Sequence, residues 1–159
     1  MPVFADATSA MIGDDSVPSL LIITVFGSPS EAVLRAYFAW SNKVVAAWRI
    51  KGMRYVALLD ATDGQRPAAR VRSVVSELVD EIRTRNPDVE VATVLVTESA
   101  LVRGALTAIG WLSRSSWRPQ PVRTCADGLR LAKQILIDVG IEPPTLDPDS
   151  YRRPERPRS

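Results

Sequence analysis

The sequence predicts an α/β fold: a mostly parallel sheet of four to five strands covered by helices. Three observations carry this. Leu20 to Phe26 (LLIITVF), Arg54 to Leu59 and Val91 to Val96 are short, β-branched and almost continuously apolar, as strands covered on both faces are. Longer segments between them repeat apolar residues at helical spacing. The order strand-helix recurs four times, and right-handed crossovers then place the helices against the sheet.

Residues 1–18 form an N-terminal arm in which Val3-Phe4-Ala5 or Ala10-Met11-Ile12 is a candidate edge strand. Gly27 ends the first buried strand, and Ser28-Pro29-Ser30-Glu31 follows. A capping Ser28, Pro29 at the first helical position and Glu31 two residues on predict a helix over 29–49. Its stripe is Val33, Tyr37, Trp40, Val44 and Trp48, widened by Leu34, Phe38 and Val45. Lys51-Gly52 turns into the second strand, which ends at Asp60. Residues 61–67 read as a polar loop, with Pro67 starting the next helix. Val71, Val74, Val75, Leu78 and Ile82 give that helix its inner face, and Asn86-Pro87 stops it.

Val89 to Leu112 is the central βα unit. Ser99 is the N-cap, and Leu101, Val102, Ala105, Leu106 and Ile109 form an apolar face. Gly104, costly inside a helix, is expected to let the helix approach the sheet. A basic loop, 113–119, leads to a short edge strand at Pro121–Thr124. Thr124 with Asp127 caps a last helix. Cys125, Leu129, Ala132, Leu136 and Val139 line its inner side, and Gly140 closes it. The α/β domain thus spans 19–141, and the Pro- and Arg-rich tail, 142–159, reads as disordered or loosely docked.

Composition narrows the function classes. A length of 159 residues suits one domain. A net charge of +2 is too small to imply nucleic acid. The absence of His removes the commonest general base and metal ligand. A lone cysteine, Cys125, excludes an internal disulfide or a Cys-based zinc cluster. No apolar run approaches the roughly 20 residues of a membrane span, and no basic segment opens a signal peptide. A cytoplasmic, non-enzymatic protein without cofactor or metal is expected.

The succession LLIITVFGSP, RYVALLDATDG, VATVLVTESALVRGALTAIGWL and PVRTCADGLRLAKQIL resembles the bacterial STAS-like family (SpoIIAA-like or STAS/SEC14-like), relatives of anti-sigma-factor antagonists. The resemblance covers about residues 18–138, and its most specific part is Leu101 to Leu106 with Trp111. It implies a four- or five-stranded mixed sheet and a regulatory or scaffold role rather than catalysis. The family's antagonists carry a phosphorylatable Ser in Asp-Ser-Ser-Gly. The nearest match here, Asp60-Ala61-Thr62-Asp63-Gly64, has no Ser, which puts kinase-controlled partner switching in doubt and leaves Thr62 as the nearest acceptor.

Several residues stand out as candidate sites. Trp111, Trp117, Arg114 and Arg118 surround a Ser-rich loop, and Trp and Arg dominate interface energetics. With Arg103, and with Trp40 and Trp48 on the first long helix, they form the expected partner-binding set. The partner is another protein, with a homodimer through Trp40 and Trp48 as one form. Arg103 is also placed to pair with Asp60 or Asp63. Thr62 and Ser99 are the candidate phosphorylation sites. Asp60 and Asp63 end a central strand, where open α/β sheets place ligands. With Ser99 they outline the pocket of the alternative reading, a small-molecule or lipid binder.

Overall fold

A computed structural model describes residues 1–157; the last two residues of the tail lie outside the described residues. Among these, six strands and four helices follow one another as β1 (Val3–Ala5), β2 (Ala10–Asp14), β3 (Leu20–Gly27), α1 (Glu31–Ile50), β4 (Tyr55–Gly64), α2 (Ala69–Arg85), β5 (Glu90–Val96), α3 (Ala100–Leu112), β6 (Gln120–Val122) and α4 (Cys125–Asp138). They form one sheet whose strands lie in sequence order. β3 to β6 are parallel, and β1 and β2 are antiparallel additions at one edge. The expected four to five strands are therefore six. Both candidate segments of the N-terminal arm pair, Val3 with Ile12 and Ile12 with Thr24.

Alternation along the central strands divides the interior into two layers. Leu21, Ile23 and Val25 of β3 face α1 and α2, with Tyr55 and Ala57 of β4. Leu95 continues this layer toward Val102, Leu106 and Ile109 of α3. Leu20, Ile22, Val56, Leu58, Val94 and Val96 point the other way, onto Leu129, Ala132 and Leu136 of α4. A single helix cannot roof that second face, and the C-terminal segment completes it with Ile141, Leu146 and Tyr151. The described part of the tail thus packs onto the domain. Its lack of helical or strand periodicity hid this, because it packs with isolated apolar residues between prolines.

Local signals were mostly read in place, with four shifts. The cap of α1 is Ser30, whose hydroxyl accepts from the Val33 N–H, so Glu31 is the first helical residue and Pro29 precedes the helix. β4 continues past Asp60 through Gly64, because Phe26 pairs with Asp63 and Gly27 with Gly64 beyond a register shift in β3. Leu101 and Val139 are exposed rather than inward-facing. Gly104 is exposed on the outer side of α3, and a Cβ there would meet nothing within 4 Å. The glycine that permits close approach is Gly128 in α4, where a Cβ would lie 2.7 Å from Leu58 Cδ1 and 2.9 Å from Val96 Cγ2.

These two glycines respond oppositely to alanine. Gly104→Ala removes a helix-destabilising residue from open space and should stabilise the fold by about 1 kcal/mol. Gly128→Ala should instead lower stability by about 1–3 kcal/mol through overpacking against Leu58 and Val96. Denaturant unfolding of the two variants checks the opposite signs.

Candidate functional site

Asp60 ends the fully apolar part of β4 and turns toward the α4 face, where it is 1% exposed. A buried carboxylate must be paired, and its partners are complete. Oδ1 accepts from the Thr62 N–H at 3.0 Å and the Thr62 hydroxyl at 2.6 Å. Oδ2 accepts from Arg153 Nε at 2.9 Å, and Arg153 Nη1 donates to Asp63 Oδ2 at 2.6 Å. The guanidinium also lies 5.5 Å from the centre of the Phe26 ring. Arg153 comes from the docked tail, so sequence spacing gave no hint of it. Arg103 does not make the expected pair; it is exposed, and among the described residues its side chain forms no ion pair.

Cys125 lies beside this cluster at the start of α4. Burial, and then the Asp60 charge, push its thiol up to about 11 against the opposing effect of Arg153. Thr62 is exposed but spends its hydroxyl on Asp60. Ser99 caps α3 by accepting from the Val102 N–H at 3.2 Å. Asp60 and Asp63 share one guanidinium. Among the described residues no group of three His, Cys, Asp or Glu is placed to hold a metal.

The predicted contact residues separate into two kinds. Trp48 is 8% exposed and packs against Tyr55 with ring centroids 5.3 Å apart. Trp40 is half-buried against Phe4 and covers Gly13, where a Cβ would fall 2.2 Å from its ring. Trp48 thus belongs to the interior, and Trp40 packs against it half-buried. Trp117 is buried too, its indole N–H donating to the Thr93 hydroxyl at 2.8 Å. Arg118 folds back to donate to the Gly110 and Trp117 carbonyls at 2.6 and 2.9 Å. Sequence alone could not show which Trp of the 111–118 stretch turns inward.

What remains outward is Trp111, 75% exposed, with Leu101 at 66% and Leu112 at 57%. With Gly104 and Ala108, their spacing places them along one side of α3, and Arg103 and Arg114 are exposed nearby. The loop that follows is held by Asp80 of α2. Its carboxylate accepts from the Ser113 hydroxyl at 2.6 Å and from the Arg114 and Ser115 N–H groups at 2.9 and 3.0 Å. Partial burial alone would raise its pKa, but these hydrogen bonds outweigh it and bring the pKa down to about 2.

A cavity of about 140 Å³ lies between the sheet and helices α1, α2 and α3. Its lining does not include Asp60, Asp63 or Ser99, and it lies on the opposite side of the sheet from Asp60. The sequence marks no such void, because most residues around it read as ordinary core.

The fold as a whole is similar to that of a solved structure. The chain is similar to the crystal structure of an anti-sigma factor antagonist from Mycobacterium paratuberculosis, with a TM-score of 0.53, 12% identity, and coverage of 80% of this chain and 97% of that one. The fold is STAS-like. No family model and no curated protein matches the sequence. The STAS-like frame bears out the expected fold class, and at this identity the likeness shows the fold alone.

Three measurements test this geometry. Arg153→Ala leaves the buried Asp60 carboxylate without its cation and should cost about 3 kcal/mol; adding Asp60→Asn should recover most of the loss. Asp80 has a depressed folded pKa, so its contribution is present above about pH 4 and lost as pH falls from 3.8 toward 2. Asp80→Asn should flatten that part of the stability profile. A thiol raised from 9.0 to about 11 should react with iodoacetamide at pH 8 about a hundredfold more slowly than a free cysteine.

Proposed function

We propose that this protein is a regulatory or scaffold module that acts by binding another protein, and that the outer face of α3 is its contact surface. The observation that carries the reading is the exposed stripe of Leu101, Trp111 and Leu112. Large apolar side chains aligned on one helix face, with arginines at the rim, have the composition of an interface centre. Arg103 and Arg114 would serve at that rim, which favours a partner with acidic groups around an apolar cleft. The likeness to an anti-sigma factor antagonist supports this by fold analogy.

Thr62 and Ser99 stay in the proposal as modification points. A phosphate on Thr62 would compete with Asp60 and Asp63 for Arg153, because the Thr62 hydroxyl and the guanidinium are bonded to the same Asp60 carboxylate. A phosphate on Ser99 would sit at the N-terminus of α3, where the helix dipole favours negative charge. Either would change the surface from which α3 projects.

The decisive test is the surface variant Trp111→Glu. It should leave folding stability within about 0.5 kcal/mol of wild type and weaken partner binding about thirtyfold or more, as loss of a central Trp does. Affinity capture from the source cell with both proteins, followed by titration of any protein retained only by wild type, measures this. Equal retention by the variant would remove α3 as the surface. A wild-type dimer that Trp111→Glu dissociates would make the partner a second copy of the chain.

A further inference from the structure

We propose that the cavity between the sheet and helices α1, α2 and α3 is a binding site for a small uncharged molecule about the size of one aromatic ring. Its volume of about 140 Å³ is close to the roughly 150 Å³ of an apolar cavity that stays dry and takes up benzene. Native interiors contain few voids larger than a water molecule. A space of this size running between three helices and the sheet is therefore a feature to explain rather than a packing residue. The walls are Leu21 and Ile23 of the sheet, Val75 of α2, Leu106 and Ile109 of α3, and the Trp117 ring.

Several of the polar groups on the wall satisfy one another. Trp117 Nε1 donates to the Thr93 hydroxyl, which donates to Glu90 Oε1 at 2.7 Å. Arg83 Nη1 pairs with the same oxygen at 3.0 Å from outside the lining. The Tyr55 hydroxyl is 3.4 Å from Glu90 Oε2. Water, which needs two to four polar partners, finds few unengaged ones there. Tyr37, buried beside Ser41, and Tyr55 keep their protons, because burial raises both pKa values and the Glu90 charge adds to the effect. The only formal charge on the lining is thus the Glu90 carboxylate, which disfavours an anion. A neutral ring or alkyl group, carrying at most one hydroxyl, matches these surfaces.

The lining also shows the route in. Pro29, on the β3–α1 connection, and Gly64, Gln65 and Pro67, on the β4–α2 connection, border the space. Gln65 and Pro67 reach the surface, and both connections leave the C-terminal ends of parallel strands, where open α/β sheets receive ligands. α2 begins there without a side-chain cap, so its first turn is held less tightly than those of the other three helices, whose caps are Ser30, Ser99 and Thr124.

The experiment is a titration of the full chain with toluene, benzyl alcohol and benzoate, followed by Tm and by methyl NMR shifts. Toluene and benzyl alcohol should bind saturably, raise Tm with concentration, and shift Val75, Val102 and Ile109; benzoate should bind at least tenfold more weakly. Ala57→Leu fills the space from the sheet and should weaken toluene binding at least tenfold. Val75→Phe does the same from α2 and serves if the first variant misfolds. No saturable binding at millimolar aromatic would overturn the proposal. So would shifts mapping outside the lining, toluene affinity unchanged in both filled variants, or benzoate binding as tightly as benzyl alcohol.

Discussion

The central strands β3, β4 and β5 are apolar on both faces, and everything else in the molecule answers to that. Parallel strands of this kind are stable only when both surfaces are removed from water. Three helices cover one face, but α4 alone must serve the other. The apolar residues that it leaves over on that face need further cover. The C-terminal segment covers them with Leu146 and Tyr151 and brings Arg153 over the Phe26 ring.

The buried Asp60 is a consequence of the same cover. Once the tail excludes water, a carboxylate at 1% exposure requires a cation and hydrogen-bond donors, since an unpaired buried charge is prohibitive. Arg153 and Thr62 provide them, and Asp63 takes the second arm of the guanidinium. A buried pair of this kind adds little net stability over an apolar substitute. What it gives is a docking position for the tail, because the guanidinium fits two carboxylates in only one geometry. The end of β4 is an ion-pair cluster with the tail.

The two layers of the interior are packed to different standards. Between the sheet and α4, contacts are tight enough that Gly128 is required under Leu58 and Val96. Between the sheet and the three-helix layer, a space of about 140 Å³ remains. At about 24 cal/mol per Å³ an empty cavity of that size costs about 3 kcal/mol, a large fraction of a typical domain's stability. Helices α1, α2 and α3 are held by larger side chains and by polar ties at their ends, such as Asp80 to the 113–115 loop. Those ties hold the helices in place without filling the middle.

By itself the sequence determined the elements and their order. Runs such as LLIITVF and VATVLV, the caps Ser99 and Thr124, and the stops at Asn86-Pro87 and Gly140 are local signals, set by backbone sterics and by hydrogen bonds within a few residues. Helical and strand periodicity likewise assigned most core positions. Only the tertiary structure decided which exposed-looking residues are buried and which apolar ones are not. Trp117 turns inward because Thr93, twenty-four residues earlier in the chain, accepts its N–H; Trp111 and Leu101 stay outside because the α3 face they share meets no other element. The tail's place, the partner of Asp60 and the cavity depend on contacts between segments up to 148 residues apart. Such contacts leave no periodic trace in a single chain, since they arise from how surfaces meet after the elements have formed.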